Sequence, residues 1–227
     1  MTSPKKFAVI VAGGSGTRMG TDKLKQFLQI GNKPILMHTL QRFISYPEKT
    51  ELILVLPKEQ IPLWKNLCQK YHFNHPHTIT PGGKTRFESV KNGLDQIHSE
   101  GLVAIHDGVR PFANKKIIET TFTSAEKSGS GISSVQLKDS IRSIKNNVSA
   151  AEDRNSFRII QTPQTFQIKL IKEAFSQAMH TDFTDDASVL ESSGGKIHLT
   201  EGSYENIKIT TPEDLTMAEA ILQNFRY

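Results

Sequence analysis

Three runs in this chain are apolar at every position: AVIVA at 8–12, LILVL at 52–56 and LVAI at 102–105. A strand with one wet face alternates apolar and polar residues. A run without alternation must be covered on both sides, as in a parallel sheet clothed by helices. Amphipathic segments separate the runs, which is the rhythm of an α/β fold. Strands are expected at 7–12, 52–56, 78–80, 102–106, 131–137, 158–162, 196–200 and 206–210. Helices are expected at 33–46, 59–71, 85–98, 115–128, 169–179, 185–191 and 212–224. The last has the clearest start: Thr211 as cap, Pro212 in the first turn and Asp214 at capping-box spacing. At 227 residues the chain can bury a sufficient core without a disulfide or metal staple.

One segment breaks the rhythm. Residues 137–157, LKDSIRSIKNNVSAAEDRNSF, are polar, lack a helical period and contain the turn-prone pair Asn146–Asn147. A projecting hairpin and a long surface loop both fit. We expect a single domain over 1–227 with this segment as an extension.

Cys68 is the only cysteine, the MTSPKK start carries no apolar stretch, and no apolar run approaches the ~20 residues of a membrane span. A soluble cytoplasmic protein with no membrane partner is therefore expected. The net charge of +5 favours anionic ligands, but the lysines are scattered and no arginine–aromatic stripe marks a nucleic-acid surface. Small phosphorylated molecules suit it better than a polynucleotide.

The first apolar run ends in AGGSGTRMG. Gly14, Gly16 and Gly20 give G-x-G-x-x-x-G, which misses the dinucleotide fingerprint, and the loop lacks the Gly-Lys-Ser/Thr ending of a P-loop. What remains is a glycine loop with Arg18 inside it and Lys23 and Lys25 just beyond. Backbone amides from Ala12 through Gly13 and Gly14 to Gly16 suit a triphosphate, and Arg18 and Lys25 add charge where a transferred phosphoryl group gathers it. An ordinary strand-to-helix turn with solvated basic residues is the competing reading. The run at 102–105 delivers His106 and Asp107 at its carboxyl end, where open α/β sheets bind ligands. Asp107 suits Mg²⁺ against a triphosphate. Arg110 is placed for a second anion, whereas His106 reads as a packed residue. Asp107 as a turn cap with Arg110 at the surface is the alternative. Gly82 and Gly83 make a turn before a helix on which Ser89 faces inward, where it could bond a nucleotide group; a plain helix start with Arg86 in solvent is the alternative. His72, His75 and His77 have a metal-like spacing, but Pro76 and the lack of nearby acids weigh against zinc. In TDDAS, a capping Thr184 with Asp185 and Asp186 suits a helix start better than a second metal site. Lys208, read from its surroundings alone, is a solvated strand residue.

Taken in order, AGGSGTRMG…KLKQF, GGKTRFESV, HDGVRPF, KDSI, DRNSFRIIQTPQTF, TDDAS and NIKITTPEDL resemble the 2-C-methyl-D-erythritol 4-phosphate cytidylyltransferases over nearly the whole chain. The resemblance implies a Rossmann-like, mostly parallel sheet with a β-arm. It also implies CTP as co-substrate, Mg²⁺, and a homodimer whose 137–157 arm embraces the neighbour. Carried over by position, Ala12, Gly13, Gly14, Gly16 and Arg18 would hold the CTP phosphates, with Lys25 joining Arg18 in the transition state. Gly83, Ser89 and Gly108 would contact cytosine and ribose, and Asp107 would bind Mg²⁺ and border the sugar phosphate. Arg110, Ser140, Arg154 and Thr162 would bind the methylerythritol phosphate, Arg154 and Thr162 from across the dimer. Lys208 stands where the family has a lysine touching both substrates. Gly13 and Ser140 stand where alanine and threonine are commoner, and Lys84 where some members have an acid. The sister ribitol-5-phosphate cytidylyltransferases and a non-catalytic nucleotide-binding module are the competing readings.

Overall fold

The computed structural model describes residues 3–13 and 24–225. A seven-stranded sheet forms its centre, in the order β11-β7-β10-β6-β1-β4-β5. These strands are β1 (Lys6–Val11), β4 (Thr50–Leu56), β5 (Thr78–Pro81), β6 (Leu102–Asp107), β7 (Ser130–Gln136), β10 (Arg158–Gln167) and β11 (Leu199–Glu201). β1 pairs in parallel with β4 and β6, as do β4 with β5 and β11 with β7; β10 runs antiparallel between β6 and β7. The sheet is thus mostly parallel, as expected.

The two faces explain the unbroken apolar runs. Phe7 and Val9 of β1, Ile53 and Val55 of β4, and Val103 and Ile105 of β6 point to one core. That core is covered by α3 (Arg86–Asp95), α5 (Ile168–Gln177) and α6 (Asp186–Ser192). Ala8, Ile10, Leu52, Leu54, Leu56, Leu102 and Ala104 point the opposite way. They meet α1 (Ile35–Ile44), α2 (Ile61–Lys70) and α4 (Lys115–Ser128). Each large side chain buried this way contributes roughly 1.5–3 kcal/mol. A polar residue in any of the three runs would lose that on one face or the other. α7 (Pro212–Asn224) closes a third cluster with Ile30, Phe112 and Ile209. Its expected capping box is present, Thr211 and Asp214 each receiving the other's backbone N–H.

Residues 137–157 contain a hairpin, β8 (Ile141–Lys145) against β9 (Val148–Glu152), turned by Asn146 and Asn147 at φ 49° and 62°. Asparagine tolerates this left-handed region better than most residues. Elsewhere, β2 (Gln29–Ile30) pairs with β3 (Lys33–Pro34), so α1 begins at Ile35 rather than at 33.

Three expected strands need correction, and the one expected at 196–200 forms only at Leu199–Glu201. The strand expected to stop at 162 runs to Gln167, through Pro163. The register against β7 shifts between Ile160 and Gln164, so Pro163 lies in an irregularity where its missing N–H removes no ladder bond. The strand expected at 206–210 does not form. That segment is tethered singly instead: the Ile209 N–H donates to the Val109 carbonyl (3.0 Å) and the Asn206 side-chain amide to the Thr162 carbonyl (2.8 Å). Ile207 and Ile209 supply a strand-like alternation, but they pack against the α7 cluster and not beside a sheet edge.

Candidate functional site

The chain runs from β1 through β4 to β5 on one side, then returns to place β6 on the other flank of β1. The order reverses between β1 and β6, and the crevice at that point is the favoured ligand position in such sheets. Val11 pairs with Asp107, so the Ala12–Gly13 turn and the Asp107–Arg110 turn emerge side by side. They approach closely: a Cβ at Gly108 would stand 2.7 Å from the Ala12 Cβ, a contact no larger residue can make without displacing the loop. The crevice is lined by Ala12, Gly13, Lys25, Gln26, Gly83, Lys84, Thr85, Arg86, Ser89, Asp107, Val109 and Lys208. Gln26 is fully buried and donates to the Ala12 carbonyl (3.0 Å) and to Gln60 Oε1 (2.6 Å), which ties the Lys25–Phe27 turn to the end of β1.

Asp107 is the acidic centre of this crevice. Lys208 Nζ lies 3.0 Å and Arg110 Nε 3.2 Å from its Oδ2. Arg110 also donates through Nη1 to the Asn206 carbonyl at 2.8 Å, anchoring the irregular segment that carries Lys208. Burial works against the Asp107 charge, but Lys208, Arg86 and Arg110 outweigh it and hold the carboxyl well below its ordinary range. The solvated Lys208 of the sequence reading is therefore half of an ion pair. Its side chain is still 41% exposed, against 11% for Asp107, which leaves the ammonium open to a ligand. His106, behind Asp107, is fully buried and its pKa is pushed down to about 4 by that burial, so the ring is neutral in ordinary buffers.

The opposite wall is the start of α3. Thr85 and Glu88 form a capping box. Ser89 Oγ accepts the Gly83 N–H (3.1 Å) and donates to the Thr85 carbonyl (2.9 Å), clamping the glycine turn against the helix. Glu88 closes on Gly83 so tightly that a Cβ there would meet the Glu88 Cβ at 2.3 Å. Arg86 is neither solvated nor loose: both terminal nitrogens bond Asp186, at 2.8 and 2.6 Å. Asp185, not Thr184, caps α6, accepting the Ser188 N–H at 3.0 Å. Gln164 Oε1 takes the next two N–H groups, of Asp186 (3.0 Å) and Ala187 (2.8 Å).

Of the residues singled out in the sequence, Ala12, Gly13, Lys25, Gly83, Ser89, Asp107 and Lys208 meet in the crevice, with Gly108 and Arg110 on its adjoining turn. Gly14, Gly16 and Arg18 lie outside the described residues. Thr162 accepts the Asp107 N–H at 3.0 Å within the same chain, so it needs no partner subunit to reach this site, contrary to the expectation from the resemblance. Ser140 and Arg154 are exposed on the arm and do not line the crevice; Arg154 donates to the Lys138 carbonyl. Arg86 with Asp186, and Gln26, are the site features that sequence reasoning missed. The partners stand 100 and 34 residues apart along the chain, and no local pattern pairs them. His77, from the metal-like cluster, instead accepts from the Trp64 indole at 2.9 Å. Cys68 is half-buried against the α1–α2 core, which pushes its thiol up to about 11.

The family model described as 2-C-methyl-D-erythritol 4-phosphate cytidylyltransferase (IspD) matches residues 7–224. A similar protein, 2-C-methyl-D-erythritol 4-phosphate cytidylyltransferase of Bacteroides thetaiotaomicron, is 47% identical over 218 residues, 96% of this chain and 100% of the relative. The crystal structure of 4-diphosphocytidyl-2C-methyl-D-erythritol synthase from Anaerococcus prevotii superposes with a TM-score of 0.82 at 32% identity, covering 97% of this chain and 96% of that one. The 2-C-methyl-D-erythritol 4-phosphate cytidylyltransferase structure from Thermus thermophilus gives 0.75 at 27% identity, covering 95% and 98%.

Proposed function

The chain belongs to the 2-C-methyl-D-erythritol 4-phosphate cytidylyltransferase family, and from that premise we propose that it joins CTP to 2-C-methyl-D-erythritol 4-phosphate with release of pyrophosphate. One observation carries the reading: Asp107, the one carboxylate among the described lining residues, faces Lys208, Arg110 and Arg86 beside a glycine turn at the crevice of a mostly parallel sheet. Cations in excess of acids suit two phosphorylated substrates.

The reaction is a direct displacement. A phosphate oxygen of the polyol attacks the α-phosphorus of CTP as the bond to pyrophosphate breaks. The nucleophile is already an anion, so no covalent enzyme intermediate is required, and the protein supplies position and charge. Ala12, Gly13, Gly14, Gly16 and Arg18 hold the phosphates, and Lys25 joins Arg18 at the reacting phosphorus. Gly83, Ser89 and Gly108 face cytosine and ribose. Arg110, Ser140, Arg154 and Thr162 take the polyol phosphate, and Lys208 touches both substrates. Mg²⁺ fits the site: both ion pairs of Asp107 fall on Oδ2, and one carboxylate with substrate phosphates is a sufficient magnesium set. When bound by Asp107, the ion supplies charge neutralisation for the triphosphate. The 137–157 arm joins two subunits and lends Arg154 to the neighbour. Ile144 and Val148 on the hairpin, 73% and 70% exposed, support this, together with exposed Phe157 and Ile159. A cytoplasmic setting suits a chain with one thiol and no disulfide.

Pyrophosphate release with CTP, Mg²⁺ and either methylerythritol phosphate or ribitol 5-phosphate tests the substrate. Turnover with ribitol 5-phosphate alone overturns it, and CTP binding without turnover supports a non-catalytic module. Light scattering tests the arm, a monomer counting against a shared site.

A further inference from the structure

We propose that His106 is a positioning residue for the polyol-phosphate half of the crevice, holding Arg110 and Thr162 in place through its two ring nitrogens; this deepens the function proposed above and rests on it. His106 is fully buried at the end of β6, with its ring edge-on to Phe43 at 5.2 Å between centroids. Nε2 lies 3.0 Å from the Arg110 carbonyl oxygen, and Nδ1 lies 3.0 Å from Thr162 Oγ1. A carbonyl only accepts, so Nε2 carries the proton. In the neutral ring Nδ1 then carries a lone pair, and the Thr162 hydroxyl donates to it. Thr162 Oγ1 in turn accepts the Asp107 backbone N–H at 3.0 Å. One imidazole thus sets the tautomer, a hydroxyl direction and a main-chain carbonyl.

The two groups it holds directly, Arg110 and Thr162, are those assigned above to the polyol phosphate. The Arg110 backbone that His106 fixes carries the guanidinium bonded to Asp107 and to the Asn206 carbonyl. Thr162 sits at the β10 irregularity, and the Asn206 side chain bonds the Thr162 carbonyl. His106 makes none of the hydrogen bonds that shape the Gly83–Ser89 wall, which are internal to the start of α3. Loss of the imidazole should therefore disturb the polyol phosphate far more than CTP. Outer partners that orient ligand-bearing groups typically matter by about 10–100-fold.

The test uses three substitutions, because an amide reproduces only half of an imidazole. His106→Gln keeps a donor near the Nε2 position, His106→Asn keeps an acceptor near Nδ1, and His106→Phe keeps neither. The expected result is that His106→Phe raises KM for 2-C-methyl-D-erythritol 4-phosphate about 30-fold while KM for CTP stays within about twofold. The Gln and Asn variants should each recover about threefold or more of that loss. Equal rises in both KM values, or Gln and Asn no better than Phe, would overturn the proposal. If His106→Phe does not fold, the unsubstituted protein decides by ¹H–¹⁵N spectra of its histidines. A proton on Nε2 of His106 supports the assignment, and a proton on Nδ1 overturns it. An unsubstituted protein that releases no pyrophosphate defeats the proposed function instead, and the tautomer then judges this inference alone.

Discussion

The carboxyl end of β6 and the start of α6 each bury an aspartate near the same guanidinium, Arg86, yet the two carboxylates are driven in opposite directions. Burial raises the pKa of both. At Asp107 the charges of Lys208, Arg86 and Arg110 overcome it, and the group is held strongly ionised. At Asp186 burial prevails; Arg86 opposes it alone, while Asp107 and Asp185 add repulsion, and the carboxyl is pushed up. Arg86 itself stays charged: burial weighs against it, but Asp186 more than compensates. Burial by itself therefore does not distinguish a reactive carboxylate from a structural one. The number of cations facing it does. Asp107 has positive charge to spare for phosphates, whereas Asp186 is matched to one arginine and clamps α6 to α3.

The sharpest way to break this contrast is Asp107→Asn. Loss of the charge should lower turnover about 10³-fold, by analogy with lost electrostatic stabilisers. A fall of less than about tenfold in pyrophosphate release would remove Asp107 from the mechanism. Lys25→Ala probes the Lys25–Phe27 turn tied to the end of β1 and should cost about 10²–10³ in turnover with only a modest rise in KM for CTP. Near-normal release would sink that role. Asp186→Asn should act on stability instead: breaking a buried pair costs about 3 kcal/mol, measured by urea unfolding. A turnover loss deeper than that of Asp107→Asn, with stability unchanged, would reverse the comparison.

Acid sharpens it further. The folded pKa of Asp107 lies below its ordinary value of 3.8, so its contribution to stability is complete above that value and is lost as pH falls toward the folded pKa. Asp186, with its pKa raised, binds its proton more readily when folded, so its contribution runs the other way, weakening as pH rises through the folded value. Asp107→Asn should therefore lose less stability than the unsubstituted protein between about pH 5 and pH 2. An equal slope in both proteins would contradict the shift at Asp107. The smallest effect is expected at the hairpin tip, where Asn147→Ala at φ 62° should cost about 1 kcal/mol and Asn147→Gly almost nothing. That value is the floor against which the Asp186 loss is read.

Much of the fold is legible in local pattern. AVIVA, LILVL and LVAI announce buried parallel strands because each alternate residue serves a different core. The Thr211 box and the Asn146–Asn147 turn rest on interactions within a few residues, and both form. The misreadings come where a distant neighbour overrides the pattern. Pro163 interrupts no strand because the register shifts around it. Alternation at 206–210 makes no strand because Arg110, Thr162 and Val109 claim its backbone and side chains.

The site divides in the same way. By itself the sequence determined which chemical groups stand at the ends of which strands: glycines after β1, Asp107 after β6, Ser89 on the inner face of α3. Those depend on spacing along the chain, where the physics is local. Only the tertiary structure decided that Lys208 meets Asp107 from a distant part of the chain, that Arg86 finds Asp186, and that His106 fixes Thr162. Ionisation depends on distance through space and on burial, and neither is written in the spacing of residues along a chain.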